Sequence, residues 1–131
     1  MTGLDPRAME ELARYFAALA VPVRLTILHA LRDGERNVGE LTEATGCTQA
    51  NVSKHLALLA HNGFVRKEAR GTSVYYSIAD PAIYGLCDMV CGQIGRRYAE
   101  QSGLERLFRA QAEKNTGRKR RVRQPVRQAG K

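Results

Sequence analysis

The sequence predicts a mainly helical fold with one small β-hairpin, arranged as a winged helix-turn-helix in the order α-α-α-α-β-β-α. Three observations predict it. Apolar residues recur at helical spacing through four successive segments before residue 62. Two of those segments meet over Thr45-Gly46-Cys47, a tight turn with glycine at its hinge. Directly after Gly63 the apolar period changes from helical to alternating, on either side of Arg70-Gly71-Thr72.

Each element follows from its own signals. Ala8 to Leu19 puts Leu12, Tyr15, Phe16 and Leu19 on one helical face. Val21-Pro22 starts a second helix, because a proline in the first turn forgoes an N–H that would have no partner there. Its stripe is Val23, Ile27, Leu28 and Leu31, and Asp33-Gly34 ends it. Asn37 with Glu40 has the reciprocal spacing of a capping box and opens a short helix to Thr45, stopped by Gly46. Thr48 caps the next helix, which turns Val52, Leu56 and Leu59 inward and stops at Gly63. Phe64 to Arg70 and Ser73 to Ile78 are β-rich and form the hairpin. Asp80-Pro81 caps and opens a long helix bearing Ile83, Leu86, Cys87, Val90, Cys91, Ile94 and Tyr98. Gly92 and Gly95 weaken that helix by about 1 kcal/mol each relative to alanine, unless close packing needs them. Ser102 and Glu105 restart helix through Leu107 and Phe108, and disorder is expected from Asn115 onward.

With 131 residues, the chain has room for one compact domain and none for an enzyme of two lobes. The expected division is a globular domain over residues 1–113 and a basic, disordered tail over 114–131. The net charge of +8 sits in that tail. All 13 Asp and Glu, and 13 of the 21 Lys and Arg, lie at or before Glu113, so the globule is balanced while the last 18 residues carry eight positive charges. Attraction to a polyanion therefore comes from a neutral body with a basic end. No apolar run approaches the roughly 18–20 residues of a membrane span, and the N-terminus lacks the basic-then-apolar order of a secretion signal. The expectation is a soluble cytoplasmic protein with no membrane partner. Three cysteines are an odd, sparse set, which reads as reduced thiols available for metal binding, redox chemistry or core packing.

The second helix of the pair, TQANVSKHLALLAHNG, crowds Thr48, Gln49, Asn51, Ser53, Lys54 and His55 into its first two turns. Base edges in a major groove require such donors and acceptors, and recognition helices read with their N-terminal residues. An ordinary solvated face would show Glu–Lys pairs, and none exists from Thr48 to Asn62. Arg66, Lys67, Arg70 and Thr72 on the hairpin add phosphate or minor-groove contacts, with Arg70 the foremost. The alternative for the hairpin is an edge strand kept soluble by its charges. No Ser, His and acid, or Cys and His, stand at a catalytic spacing, and no glycine-rich loop cradles phosphate, so no catalytic residue is assigned.

GCTQANVSKHLALLAHNGFVRKEARGTSVYYSI, preceded by LAVPVRLTILHAL and VGELTEATG, resembles the arsenic-repressor-type winged-helix metalloregulators, the ArsR/SmtB family. The resemblance covers Leu12 to Tyr98. It implies a homodimer built on the first and last helices, an imperfect inverted-repeat operator in double-stranded DNA, and repression lifted by an effector. Some members carry Cys-x-Cys in the short helix before the turn, where this chain has Glu40-Leu41-Thr42-Glu43. Others bind zinc through Asp and His on the last helix, which here has Asp88 but no histidine.

What remains is Cys87 and Cys91, four apart and so neighbours on one helical face, where two thiolates can grip one soft ion. Cys47 opens the recognition helix, where the helix dipole favours thiolate. A set of Cys47, Cys87 and Cys91 suits As(III) or Sb(III), and would also accept Cd(II) or Pb(II); zinc wants a fourth ligand. No organic cofactor is expected. Three other readings stay open: the two helix cysteines pack a core, they sense oxidant or reactive sulfur, or the chain is an architectural DNA binder that works through its tail.

Overall fold

The computed structural model describes residues 3–99 and 103–122. The chain divides into two compact units, Met1–Asp80 and Pro81–Lys131, at a boundary the hydrophobic pattern does not mark.

The N-terminal unit holds α1 (Pro6–Leu19), α2 (Pro22–Ala30) with a 3-10 turn at Leu31–Asp33, β1 (Arg36–Asn37), α3 (Val38–Thr45), α4 (Gln49–His61), β2 (Val65–Arg70) and β3 (Ser73–Ile78). Helix starts follow the capping chemistry. Asp5 accepts from the Arg7 amide at 2.8 Å and starts α1 two residues before the expected Ala8. At α3 the capping box is complete: Asn37 Oδ1 accepts from the Glu40 amide, and the Asn37 amide donates to Glu40 Oε1, both at 2.9 Å. The core lies where α2, α3 and α4 meet, with Ile27, Leu28, Leu31, Leu41, Val52, Leu56 and Leu59 all essentially inaccessible. Each such side chain contributes about 1.5–3 kcal/mol of burial. Helix α1 is only partly covered: Ala18 and Leu19 are buried, while Leu12 and Phe16 each stay 47% exposed.

The hairpin pairs Val65 with Ile78 through to Arg70 with Ser73, and Gly71 turns it with a φ of +61° that side chains avoid. The sheet has three strands rather than the two expected, in the order β1-β3-β2. Arg36 and Asn37 pair with Tyr76 and Tyr75. Two residues carry no alternation to be read, so this strand is visible only through its non-local partner.

The C-terminal unit is α5 (Ala82–Arg97) packed on α6 (Gly103–Val122). α5 begins directly after Pro81, whose ring supplies no side-chain cap of its own. α6 continues as helix past Asn115 to Val122. Asn115 itself is fully buried, donating from Nδ2 to Asp88 Oδ1 at 2.8 Å and accepting from Gln111 Nε2 at 3.2 Å. The remainder of the expected tail, from residue 123, lies outside the described residues. Among the described residues no single helix is long and apolar enough to cross a membrane.

Candidate nucleic-acid interface and thiol pair

The turn between α3 and α4 is built by Gly46, in the left-handed region at φ 72°, and by Thr48. The Thr48 hydroxyl accepts from the Asn51 amide at 3.1 Å, so this side chain starts the helix and is occupied in doing so. Gln49, Ser53 and Lys54 are exposed on the outer side of α4, opposite the buried Val52, Leu56 and Leu59. Asn51 is half-buried and lines, with Gly46, Cys47, Thr48, Ala50 and Lys54, a wide shallow surface groove. Their donors and acceptors, held on a rigid helix, are what base edges require.

His55 is directed differently. Its Nδ1 accepts from Arg24 Nε at 3.1 Å, and Arg24 also donates to the Ala18 carbonyl at 3.0 Å. Burial, with the charges of Arg24 and Lys54 beside it, pushes the His55 pKa below the usual histidine value, which favours the neutral ring that can accept this bond. His55 thereby ties α4 to α2. Arg24 was not anticipated, because its partner lies 31 residues away and no local pattern announces it.

On the hairpin, Arg66, Lys67 and Thr72 are exposed. Arg70 is engaged: its two terminal nitrogens reach both Glu35 carboxylate oxygens at 2.6 and 2.8 Å, one also reaches Glu68 at 2.9 Å, and the guanidinium lies 4.7 Å from the Tyr75 ring centre. Arg70, Glu68 and Tyr75 share the outer face of the sheet, Glu68 opposite Tyr75 and Arg70 opposite Ser73. The two carboxylates hold the guanidinium protonated, and Arg70 holds Glu35 below the ordinary carboxylate value. Glu35 is therefore a second unanticipated participant.

None of the three cysteines is in a disulfide, and each is half-buried. Cys47 belongs to the N-terminal unit, where its amide donates to Thr45 Oγ1 at 3.2 Å. Cys87 and Cys91 lie on α5, separated by one helical turn. Burial, and secondly the negative charge of Asp88, push the Cys91 thiol up. Within each unit, no group of three His, Cys, Asp or Glu gathers among the described residues in the manner of a metal site. The C-terminal unit thus offers a two-sulfur set.

Comparison with known proteins gives a consistent result. Residues 21–67 match the description "bacterial regulatory protein, arsR family". The chain is 40% identical over 74 residues to the probable mercury resistance operon repressor of Streptomyces lividans, a stretch covering 56% of this chain and 59% of that protein. It is 40% identical over 85 residues to the HTH-type transcriptional regulator NmtR of Mycobacterium tuberculosis, covering 65% and 71%. Among solved structures it is similar to Rv0081 of M. tuberculosis, with a TM-score of 0.67 and 31% identity over 75% of this chain and 98% of that one. It is also similar to the homodimeric winged helix-turn-helix DNA-binding domain Mb0332 of Mycobacterium bovis, with a TM-score of 0.62 and 30% identity over 78% and 98%.

Proposed function

The chain belongs to the arsR family of bacterial regulatory proteins, and from that premise we propose that it is a homodimeric, DNA-binding transcriptional repressor of the cytoplasm, released from its operator when a thiophilic metal or metalloid binds cysteine thiolates. It is a regulator and not an enzyme. The reading face of α4, led by Gln49, Asn51, Ser53 and Lys54, enters the major groove, and Arg66, Lys67 and Thr72 contact the backbone beside it. Two copies meet half-sites about one helical turn of DNA apart, roughly 34–36 Å. The uncovered apolar residues of α1 and the exposed Met89 and Val90 of α5 supply surface for the second copy.

One observation carries the effector half of this reading: the half-buried pair Cys87 and Cys91 on one face of α5. As(III) or Sb(III) is the inducer that suits sulfur best, each metalloid–oxygen bond exchanging for a metalloid–sulfur bond as thiol protons leave with hydroxide as water. Cd(II), Pb(II) and Hg(II) share the preference for soft ligands. The mercury resistance named for the Streptomyces relative supports a soft-element effector in general. Helical spacing places the two Cβ atoms about 5–6 Å apart, wider than the roughly 3.8 Å of a disulfide, which favours an ion between the sulfurs over a direct bond. A coupling of about 3 kcal/mol between capture and DNA binding would lower operator affinity by about two orders of magnitude.

The test is binding of labelled operator DNA under reducing conditions, with and without antimonite or arsenite, for the wild type and for Cys47→Ser, Cys87→Ser and Cys91→Ser. Cys87→Ser and Cys91→Ser are expected to bind DNA normally and to ignore the inducer. Loss of response in Cys47→Ser as well makes the site a trithiolate. A full response in the protein lacking all three cysteines overturns the reading.

A further inference from the structure

Within the C-terminal unit, α5 and α6 leave a pocket of about 210 Å³ beside Cys91, walled by Gly92, Gly95, Ala99, Phe108 and Ala112. Two glycines add room to it: a Cβ at position 95 would stand at ordinary contact distance, 3.4 Å, from Phe108 Cβ, and one at 92 would stand 3.5 Å from Arg96 Nη1. A thiol in the wall of a small, half-open and mainly apolar pocket, with a second thiol one turn away, is more than an ion needs.

The number of sulfurs matters as much as the cavity. Trivalent arsenic makes three covalent bonds, so on the two thiols of the C-terminal unit, Cys87 and Cys91, inorganic arsenite would keep one hydroxyl as its third bond. We infer that this site takes a mono-organic trivalent arsenical, R–As(OH)2, bound by Cys87 and Cys91 with the carbon substituent seated in the pocket between α5 and α6. In the reaction R–As(OH)2 + 2 Cys–SH → R–As(S–Cys)2 + 2 H2O, two As–O and two S–H bonds break while two As–S and two O–H bonds form. Arsenic stays trivalent, sulfur is not oxidised, and no further reactant is required. The arsenic–carbon bond satisfies the third valence, and an apolar R is driven into an apolar pocket. Cavities of about 150 Å³ lined by apolar side chains hold benzene, so this one admits substituents from methyl to phenyl. Arg96 and Arg109 also border it, and neighbouring guanidinium groups disfavour a dication while leaving a neutral arsenical untouched.

The inference rests on the α5 thiols being the effector ligands, and the experiment separates the two ideas. Full-length reduced protein is titrated with arsenite, phenylarsine oxide and a bulkier biphenyl analogue, reading adduct stoichiometry by intact mass and release of labelled operator DNA. The same series is run on Cys47→Ser, Cys87→Ser, Ala112→Leu and Ala99→Leu, with thermal melting as the folding control. Expected are one phenylarsenic per chain, retained in Cys47→Ser and abolished by Cys87→Ser. Pocket filling by Ala112→Leu or Ala99→Leu should weaken the phenyl compound by about ten- to a hundredfold and leave arsenite unchanged. In the wild type the biphenyl compound should bind more weakly than phenyl, a size limit that needs no variant. If the biphenyl compound equals phenyl, or pocket filling weakens neither arsenical, the pocket assignment falls and the thiol site stands. If no compound adds to Cys87 and Cys91 in protein that binds DNA, both fall.

Discussion

Helix α4 and the hairpin are neighbours in sequence and carry similar polar residues, yet they commit them differently. On α4, Gln49, Ser53 and Lys54 project from a helix whose opposite face is sealed in the core, and among the described residues their side chains make no ion pair or hydrogen bond. On the hairpin, Arg70 makes three short contacts to Glu35 and Glu68 and stacks on Tyr75. In the proposed reading the helix supplies the base contacts, while in the structure Arg70 ties the hairpin to the loop that leads into β1.

The contrast is sharpest at Gln49. Gln49→Ala should cost about 1–3 kcal/mol of discrimination at one base pair, seen as relaxed preference in competition binding, with melting unchanged to within about 0.5 kcal/mol. Thr48→Ala tests the opposite role on the same helix: loss of the cap should lower stability by about 1 kcal/mol in denaturant melts, with base preference intact. At the hairpin, the slope of log affinity against log salt is the measurement. Arg70→Ala should leave that slope unchanged, whereas Glu35→Gln should loosen the clamp and steepen it by about one phosphate contact. A shallower slope in Arg70→Ala would make Arg70 a DNA contact after all.

The smallest effect concerns His55. Its folded pKa is depressed, so the folded state binds fewer protons than the unfolded one below the ordinary histidine value of about 6.5. The contribution of the neutral ring is complete above that value and is lost as pH falls toward the folded pKa. Melts between pH 7.5 and 5 should show this loss in the wild type and less of it in His55→Gln.

Elements announced by their own neighbours were legible in the chain. Asn37 with Glu40, Thr48 before the Val52–Leu56–Leu59 stripe, and Gly71 between two alternating runs each carry a complete local signal, and the structure has α3, α4 and the hairpin at those places. What stayed hidden depends on partners far along the chain. β1 exists through Tyr75 and Tyr76, Arg70 is held by Glu35 at a distance of 35 residues, and Arg24 finds His55 across 31. The continuation of α6 is of the same kind: KNTG is a poor helix sequence, and the buried Asn115 supplies a tertiary reason for it to continue. At the thiol site, the pairing of Cys87 with Cys91 follows from helical spacing, while the cavity beside Cys91 needed the packing of α6 to become visible.

Asn115 also dictates where the chain can be shortened. Scissors placed just after Glu113, the natural spot for stripping away the eight positive charges, would deprive Asp88 of its 2.8 Å amide donor next to the two α5 cysteines. Any weakening of DNA or arsenical binding in that truncated protein would blend lost electrostatics with a damaged α5–α6 pair. Neutralising the cations beyond Asn115 by substitution, with the amide kept in place, isolates the electrostatic share.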